Sequence, residues 1–284
     1  KTPFQEDTPP ERVRTSNSDE WRSATMWDFY DNFYRATAAS AAHSEFCERV
    51  FGRDLGQHGF ADVAQLDALI AAAQLGPGQR VLDLGCGTGL IAEYLSDCSD
   101  AHVTGLDYVP DAIRQACERT GAKVDRLDFV VGDINALALP PAAFDVIVSI
   151  DTIYFSDDYS TTIAALAKAL RPGGRLVFLY SHGREPWVPI DEFDVSTLPA
   201  TNTPLAKALS AAGFGYTFID FTADELRLAI RRQEVLADLR DQFAAEGNLF
   251  IYENRLGDAN GIRQACEDGL QRRYLYTATK SWAY

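Results

Sequence analysis

Three glycines spaced two apart, Gly85, Gly87 and Gly89, follow an apolar run and Asp83 in Val81-Leu82-Asp83-Leu84-Gly85-Cys86-Gly87-Thr88-Gly89. Glycines so placed let a backbone turn tightly between strand and helix and come close to a ligand. A dinucleotide fingerprint would read G-x-G-x-x-G, whereas residue 90 is Leu90 and the pattern is D-x-G-x-G-x-G, which argues against a nicotinamide cofactor. Cys86 fills the slot between glycines in that loop and is read as filler, not as a nucleophile. Asp107 stands 20 residues after Gly87, where a strand-end carboxylate can accept hydrogen bonds from both hydroxyls of a ribose. Its bland alternative is a helix N-cap before Pro110. Gly132-Asp133-Ile134 offers a carboxylate for an adenine amine and an apolar side chain for the ring face.

Positioning these residues requires strand ends that share one edge. Residues 80–84, 102–106, 128–131, 144–150 and 175–180 read as short buried strands, and helical stripes separate them, such as Ile91, Tyr94, Leu95 and Cys98. Pro110 opens a helix that Gly121 closes, and Pro172-Gly173-Gly174 ends another. Such alternation implies right-handed crossovers and an α/β, doubly wound, mostly parallel sheet whose ligand crevice lies beyond the carboxyl ends of the strands. Helical patterns at residues 27–35, 44–51 and 63–73 precede the first strand. We expect a mobile segment over residues 1–22, a helical cap over 23–76, and a ligand-binding domain over 77–284 with a helical insertion at 222–270. Leu236, Leu239 and Phe243 give that insertion an apolar face, and Gly247 breaks it.

A formal net charge of -15 disfavours phosphate backbones and anionic lipid surfaces, so neither nucleic acid nor membrane is an expected partner. Cys47, Cys86, Cys98, Cys117 and Cys266 are scattered, without zinc-ligand spacing, so no metal is expected and a reduced, cytoplasmic compartment fits. No apolar run reaches membrane-spanning length, and the polar start has no signal-peptide core. A homodimer is left open by the sequence.

The ordered set of residues 81–89, Asp107, Gly132-Asp133, Phe144-Asp145-Val146-Ile147-Val148-Ser149 and Leu170-Arg171-Pro172-Gly173-Gly174 resembles the class I S-adenosylmethionine-dependent methyltransferases, closely over residues 78–181. The resemblance implies a Rossmann-like seven-stranded sheet, its sixth strand at residues 216–221 and an antiparallel seventh at 273–279. It implies S-adenosyl-L-methionine as cofactor, with Gly85, Gly87 and Gly89 skirting the methionyl part and Asp83 near its amino group. Asp107 would hold the ribose, and Tyr108, Asp133 and Ile134 would flank the adenine; Cys86, Ser149 and Tyr34 complete the expected cofactor set. The implied activity is methyl transfer to an oxygen, nitrogen or carbon nucleophile of a small metabolite. Cyclisation, another group transfer, or a non-catalytic cofactor-binding role are the alternatives.

The sulfonium already carries an activated methyl, so the main tasks are alignment of the nucleophile and exclusion of water. A base is needed only for an acceptor that arrives protonated. His182, after the fifth strand, His58, before the third helix, and Tyr154, after the fourth strand, are the catalytic candidates; Asp151 and Thr152 belong to the same acceptor-side loop. Tyr30 and Tyr34, four apart, fit core packing as well as a lid over the sulfonium. His43, His102 and Asp145 read as structural. The chain lacks the Asn/Asp-Pro-Pro-Tyr and Pro-Cys motifs of base-modifying relatives, which points to a small-molecule acceptor.

Overall fold

The computed structural model describes residues 17–185 and 188–280, with side chains from Asp28 onward. Residues 1–16 of the segment expected to be mobile lie outside the described residues, whereas residues 17–22 form the opening turns of α1 (Asn17–Ala38), where Asn-Ser-Asp-Glu supplies helix-start residue types. Ser40 caps α2 (Ala41–Phe51), its hydroxyl accepting from the His43 N–H at 3.0 Å, and Asp62 caps α3 (Val63–Ala73) in the same way through Gln65. The alternation then runs β1 (Arg80–Leu84), α4 (Leu90–Ser99), β2 (His102–Asp107), α5 (Pro110–Arg119), β3 (Leu127–Val131), β4 (Phe144–Ile150), α6 (Tyr159–Ala169), β5 (Leu170–Gly183), α7 (Pro204–Ala211) and β6 (Phe214–Asp220). The expected insertion is a helical hairpin, α8 (Thr222–Ala245) and α9 (Leu249–Glu267), hinged where Gly247 takes a φ of 74°, and β7 (Gln271–Lys280) closes the sheet.

The seven strands lie in the order β3-β2-β1-β4-β5-β7-β6, with β7 antiparallel to both neighbours. The doubly wound, mostly parallel sheet is therefore present, and the last strand enters the sheet between the fifth and sixth. Leu176, Phe178, Tyr180 and Tyr276 face α6 and α7 on one side, while Val81, Val148, Leu179 and Leu275 face α3 and α4 on the other. A third apolar cluster joins the cap to the insertion through Phe33, Phe46, Phe51, Val235, Leu239, Phe243 and Ile251. Cap and hairpin are thus one packed lobe beside the carboxyl edge of the sheet. No helix among the described residues is long and apolar enough to cross a membrane.

Glu246, just beyond α8, fastens the lobe by accepting from the Ser40 hydroxyl at 2.5 Å and the Ala42 N–H at 2.8 Å at the start of α2. Burial opposes its ionisation, but these hydrogen bonds overcome that and hold the carboxyl below the ordinary glutamate range. A depressed acid pKa means the stabilisation is present at neutral pH and is lost as pH falls through that value. Glu246→Ala should lower stability by about 1–2 kcal/mol at pH 7, a cost that shrinks on acidification, measured by urea unfolding across pH.

Candidate functional site

The loop after β1 is held by its own backbone: the N–H groups of Gly85 and Cys86 both donate to the Leu106 carbonyl, at 2.7 and 3.0 Å. Gly87 and Gly89 have φ of 53° and 76°, in the left-handed region that glycine tolerates. A Cβ on Gly89 would sit 2.5 Å from the Phe129 ring, and one on Gly87 3.0 Å from the Tyr34 hydroxyl. Cys86 is buried against this loop and its thiol is pushed up by burial first and by Asp107 second, so it stays protonated and is no nucleophile.

Asp107 accepts from the Gly87 N–H at 2.8 Å and the Val109 N–H at 3.0 Å, tying the glycine loop to the end of β2. Helix α5 is capped by Val109 without a side-chain bond, so helix capping does not account for Asp107. Asp83, 2% exposed, makes no hydrogen bond among the described residues, and burial together with the Asp107 charge pushes its carboxyl up to about 7. Asp133 accepts from the Asn135 N–H at 2.9 Å and its second oxygen has no hydrogen bond among the described residues, while Ile134 packs on the core edge and the buried Ser149 hydroxyl has no partner among them. Asp145 belongs to the opposite edge, where it accepts from Arg80 N–H and pairs with Arg171.

Helix α1 crosses these strand ends. Tyr34 lies over Gly87, and the Tyr30 ring meets Tyr34 at 5.9 Å, Tyr108 at 6.2 Å, Phe155 at 5.8 Å and His58 at 4.8 Å. The structure therefore brings Tyr34, Tyr108, His58 and the glycine loop together under one helix. His58 is enclosed by Phe29, Tyr30 and Phe33; burial, then Arg255, drives its pKa well down, and its Nε2 has no partner.

The β4–β7 side of the crevice is organised by charge that sequence reasoning missed. Asp151 at the end of β4 holds a φ of 53° and receives Arg273 through Nη1 at 2.6 Å and Nη2 at 3.0 Å, plus the Phe60 N–H at 2.8 Å. Arg273 also donates to Gln65 at 2.8 Å and Ser181 at 2.8 Å, and it lies 3.3 Å from Glu225, which is 3.7 Å from Arg232. Arg232 stacks on Phe60 at 4.7 Å; Arg255 stacks on Phe33 at 4.9 Å and donates to the carbonyls of Gln57 and His58. The sequence does carry a faint signal for them. Glu225, Leu228, Arg232 and Leu236 share the buried face of α8, as Ile251, Arg255 and Ala259 share that of α9, so these charges stand on apolar stripes.

Tyr154 joins this cluster: although the residue as a whole is 36% exposed, desolvation of its hydroxyl first and the charge of Asp151 next push its pKa up. His182 does not. It lies on the other face of the sheet, stacked on Tyr180, with Nε2 2.9 Å from the Thr197 hydroxyl, and burial lowers its pKa. His43 is buried against Arg255, and His102 pairs with Asp128 at the far edge, both structural.

Residues 81–174 match a family model described as a methyltransferase domain. The chain is 29% identical over 242 residues to a phosphoethanolamine N-methyltransferase of Triticum aestivum, covering 82% of this chain and 47% of that protein. It is 31% identical over 147 residues to the 27-O-demethylrifamycin SV methyltransferase of Amycolatopsis mediterranei, covering 48% of this chain and 54% of the relative. Among solved structures, Haemonchus contortus phosphoethanolamine N-methyltransferase 2, in complex with phosphomonomethylethanolamine and S-adenosylhomocysteine, superposes with a TM-score of 0.70 at 19% identity, over 89% of this chain and 60% of that one. The chain spans about half the length of the curated relatives it matches.

Arg273 bridges two buried carboxylates, and its removal leaves Asp151 without an ion-pair partner among the described residues and Glu225 with Arg232 only. Arg273→Met should destabilise the fold by about 3–5 kcal/mol in urea titration, and adding Asp151→Asn to it should recover part of that loss.

Proposed function

We propose, for a chain that carries a class I S-adenosylmethionine-dependent methyltransferase domain, that it transfers a methyl group to a nucleophile of a small molecule. The observation that carries this reading is the pair of buried carboxylates behind and beside the glycine loop, Asp83 without a partner and Asp107 bonded to the loop itself. A buried carboxyl with no donor is an open position for a cation, and an α-ammonium supplies one. The glycine loop leaves room where side chains would collide, as a ligand lying on the backbone requires. The residues thus fit S-adenosyl-L-methionine, which when bound supplies an electrophilic methyl.

In this reading Asp83 holds the amino group, Gly85, Cys86, Gly87 and Gly89 the methionyl chain, and Asp107 the ribose. Tyr108, Asp133 and Ile134 flank the base, Ser149 offers a buried hydroxyl, and Tyr34 closes the loop from above. Tyr30, Tyr34 and Phe155 keep water from the reaction centre, an alignment and desolvation role that matches what methyl transfer needs. Tyr154 and His58 line the acceptor side. His182, bonded to Thr197 on the other face of the sheet, has no part in it. The net charge of -15 supports a small-molecule acceptor over nucleic acid.

Asp83 makes the reading testable through protons. Its folded pKa of about 7 lies above the ordinary aspartate value, so the ligand-free protein loses stability as pH rises through that interval, while an ammonium ligand prefers the ionised form. Affinity for S-adenosyl-L-homocysteine should therefore rise by up to about tenfold per pH unit below 7 and level off above it, with proton release visible by calorimetry in two buffers. Asp83→Asn should abolish that dependence, weaken binding, and raise the melting temperature of the ligand-free protein at pH 8. Asp107→Ala should weaken binding by about ten- to a hundredfold. Unchanged affinity in both folded variants contradicts the assignment.

A further inference from the structure

Two polar side chains on α9 have no role in the assignments above. Asn254 and Asp258 stand four apart, on one side of the helix, and the Asn254 Oδ1 is buried without a hydrogen-bond partner. The Asp258 carboxyl, partly buried, makes no hydrogen bond or ion pair among the described residues. The helix they stand on is pinned at this turn. Arg255 donates to the carbonyls of Gln57 and His58 and stacks on Phe33 of α1, whose ring is 4.5 Å from that of His58. Asp258 consequently faces the space between α1 and the loop after β4, where its charge is felt by the hydroxyls of both Tyr30 and Tyr154. Neither of those hydroxyls is hydrogen-bonded among the described residues. Tyr30 in turn touches Tyr108 and Tyr34, so this space adjoins the place read above as the cofactor's.

The free atoms around that space say what can enter it. Asn254 Oδ1 and the Asp258 oxygens are acceptors, so a group that satisfies them must bring its own hydrogens. The charges that face Asp258 are Arg255 on its own helix and Arg232 on α8, both favouring its ionised form, against burial, which raises its pKa; Tyr30, Tyr154 and the unpartnered Nε2 of His58 complete the surroundings. We propose that Asp258, with Asn254 one turn before it, binds the methyl-accepting group and takes its proton, so that the acceptor is a small molecule bearing a hydroxyl or ammonium nucleophile. This rests on the methyl-transfer reading and deepens it. The lone pair of oxygen or nitrogen forms the new bond to carbon, the carbon–sulfur pair leaves with sulfur as a neutral thioether, and one proton passes to the Asp258 carboxylate. For a hydroxyl that proton leaves as the bond forms; for an ammonium it leaves before, because nitrogen needs its lone pair free.

Phenol and methylamine are minimal probes of the two proton-bearing classes, and pyridine, a nitrogen nucleophile that carries no proton at neutral pH, is the control. Methyl-labelled S-adenosyl-L-methionine reports transfer, and the carboxyl carbon resonance of Asp258, assigned by difference against Asp258→Asn, reports binding to the complex with S-adenosyl-L-homocysteine. Phenol or methylamine should be methylated and should move that resonance. Asp258→Asn should lower the rate by about 100- to 10,000-fold with affinity for S-adenosyl-L-homocysteine unchanged, and Asp258→Glu should restore part of it. A full rate in Asp258→Asn, faster transfer to pyridine, or a resonance unmoved by either probe would overturn the role of Asp258. Should Asp258→Asn fail to fold, Asp258→Glu supplies the assignment of the wild-type resonance and Asn254→Ala the second arm of the test, the latter weakening probe binding. Wild-type protein whose Asp258 resonance responds to a probe but that transfers no label refutes methyl transfer and the proton step, while leaving the binding contact.

Discussion

The guanidinium of Arg273 has no access to water, so its charge is tolerable only through the carboxylates that meet it. It takes Asp151 with two nitrogens and reaches Glu225, Gln65 and Ser181 with what is left. Those partners belong to the end of β4, the start of α8, helix α3 and the end of β5. Four otherwise separate parts of the chain are thereby fixed relative to one another at the carboxyl edge of the sheet. The antiparallel β7 is what makes this possible, because entering between β5 and β6 it presents Arg273 beside Ser181, at the edge where the glycine loop and the loop after β4 begin. Asp151 keeps a left-handed backbone there, a strain of roughly 1–3 kcal/mol that the ion pair and the Phe60 N–H offset. The outcome is a loop held in one conformation above Gly85, with Thr152 Oγ1 3.5 Å from the Gly85 carbonyl.

The two halves of the edge solve opposite electrostatic problems. On the β1–β2 side two buried acids, Asp83 and Asp107, stand with no buried base among the described residues, so Asp83 rises toward neutrality. On the β4–β7 side Arg232, Arg255 and Arg273 are the largest fully buried side chains, and burial alone disfavours their charge. Glu225 and Asp151 restore the balance internally, and aromatic faces supply the rest. One side has no internal counter-ion among the described residues; the other carries its own.

This difference explains what the sequence disclosed. Glycine spacing, Asp107 and the strand-helix alternation are local, and each is legible because φ and period are written in a few adjacent residues. The sheet, the cap and the break at Gly247 follow from the same kind of signal. The buried arginines are not local in this sense: Arg231 and Arg232 are adjacent and chemically alike, yet one is at the surface and the other buried. Only the position of Arg232 on the apolar stripe separates them, and a stripe is readable after its helix has been placed. His182 shows the converse. It stands at the right edge of the right strand, but the alternation of side chains along β5 turns it to the face of Tyr180, away from Arg273, a one-residue matter of parity.

Parity also decides which parts of such a chain can change. The glycine loop and its carboxylates depend on backbone geometry within some 50 residues of continuous sequence, so they tolerate little. The lobe made of α1, α2, α8 and α9 is joined to the sheet through the Arg273 cluster and to itself through apolar packing and Glu246. Apolar packing accepts volume-conserving substitution at modest cost, whereas a buried ion-pair hub does not. The residues free to vary are then those that face the crevice from the lobe without belonging to either anchor, among them Tyr30, Asn254 and Asp258. On the methyl-transfer reading proposed above, a site built this way would keep one cofactor geometry while a few side chains on helices that the hub holds in place set the acceptor it takes.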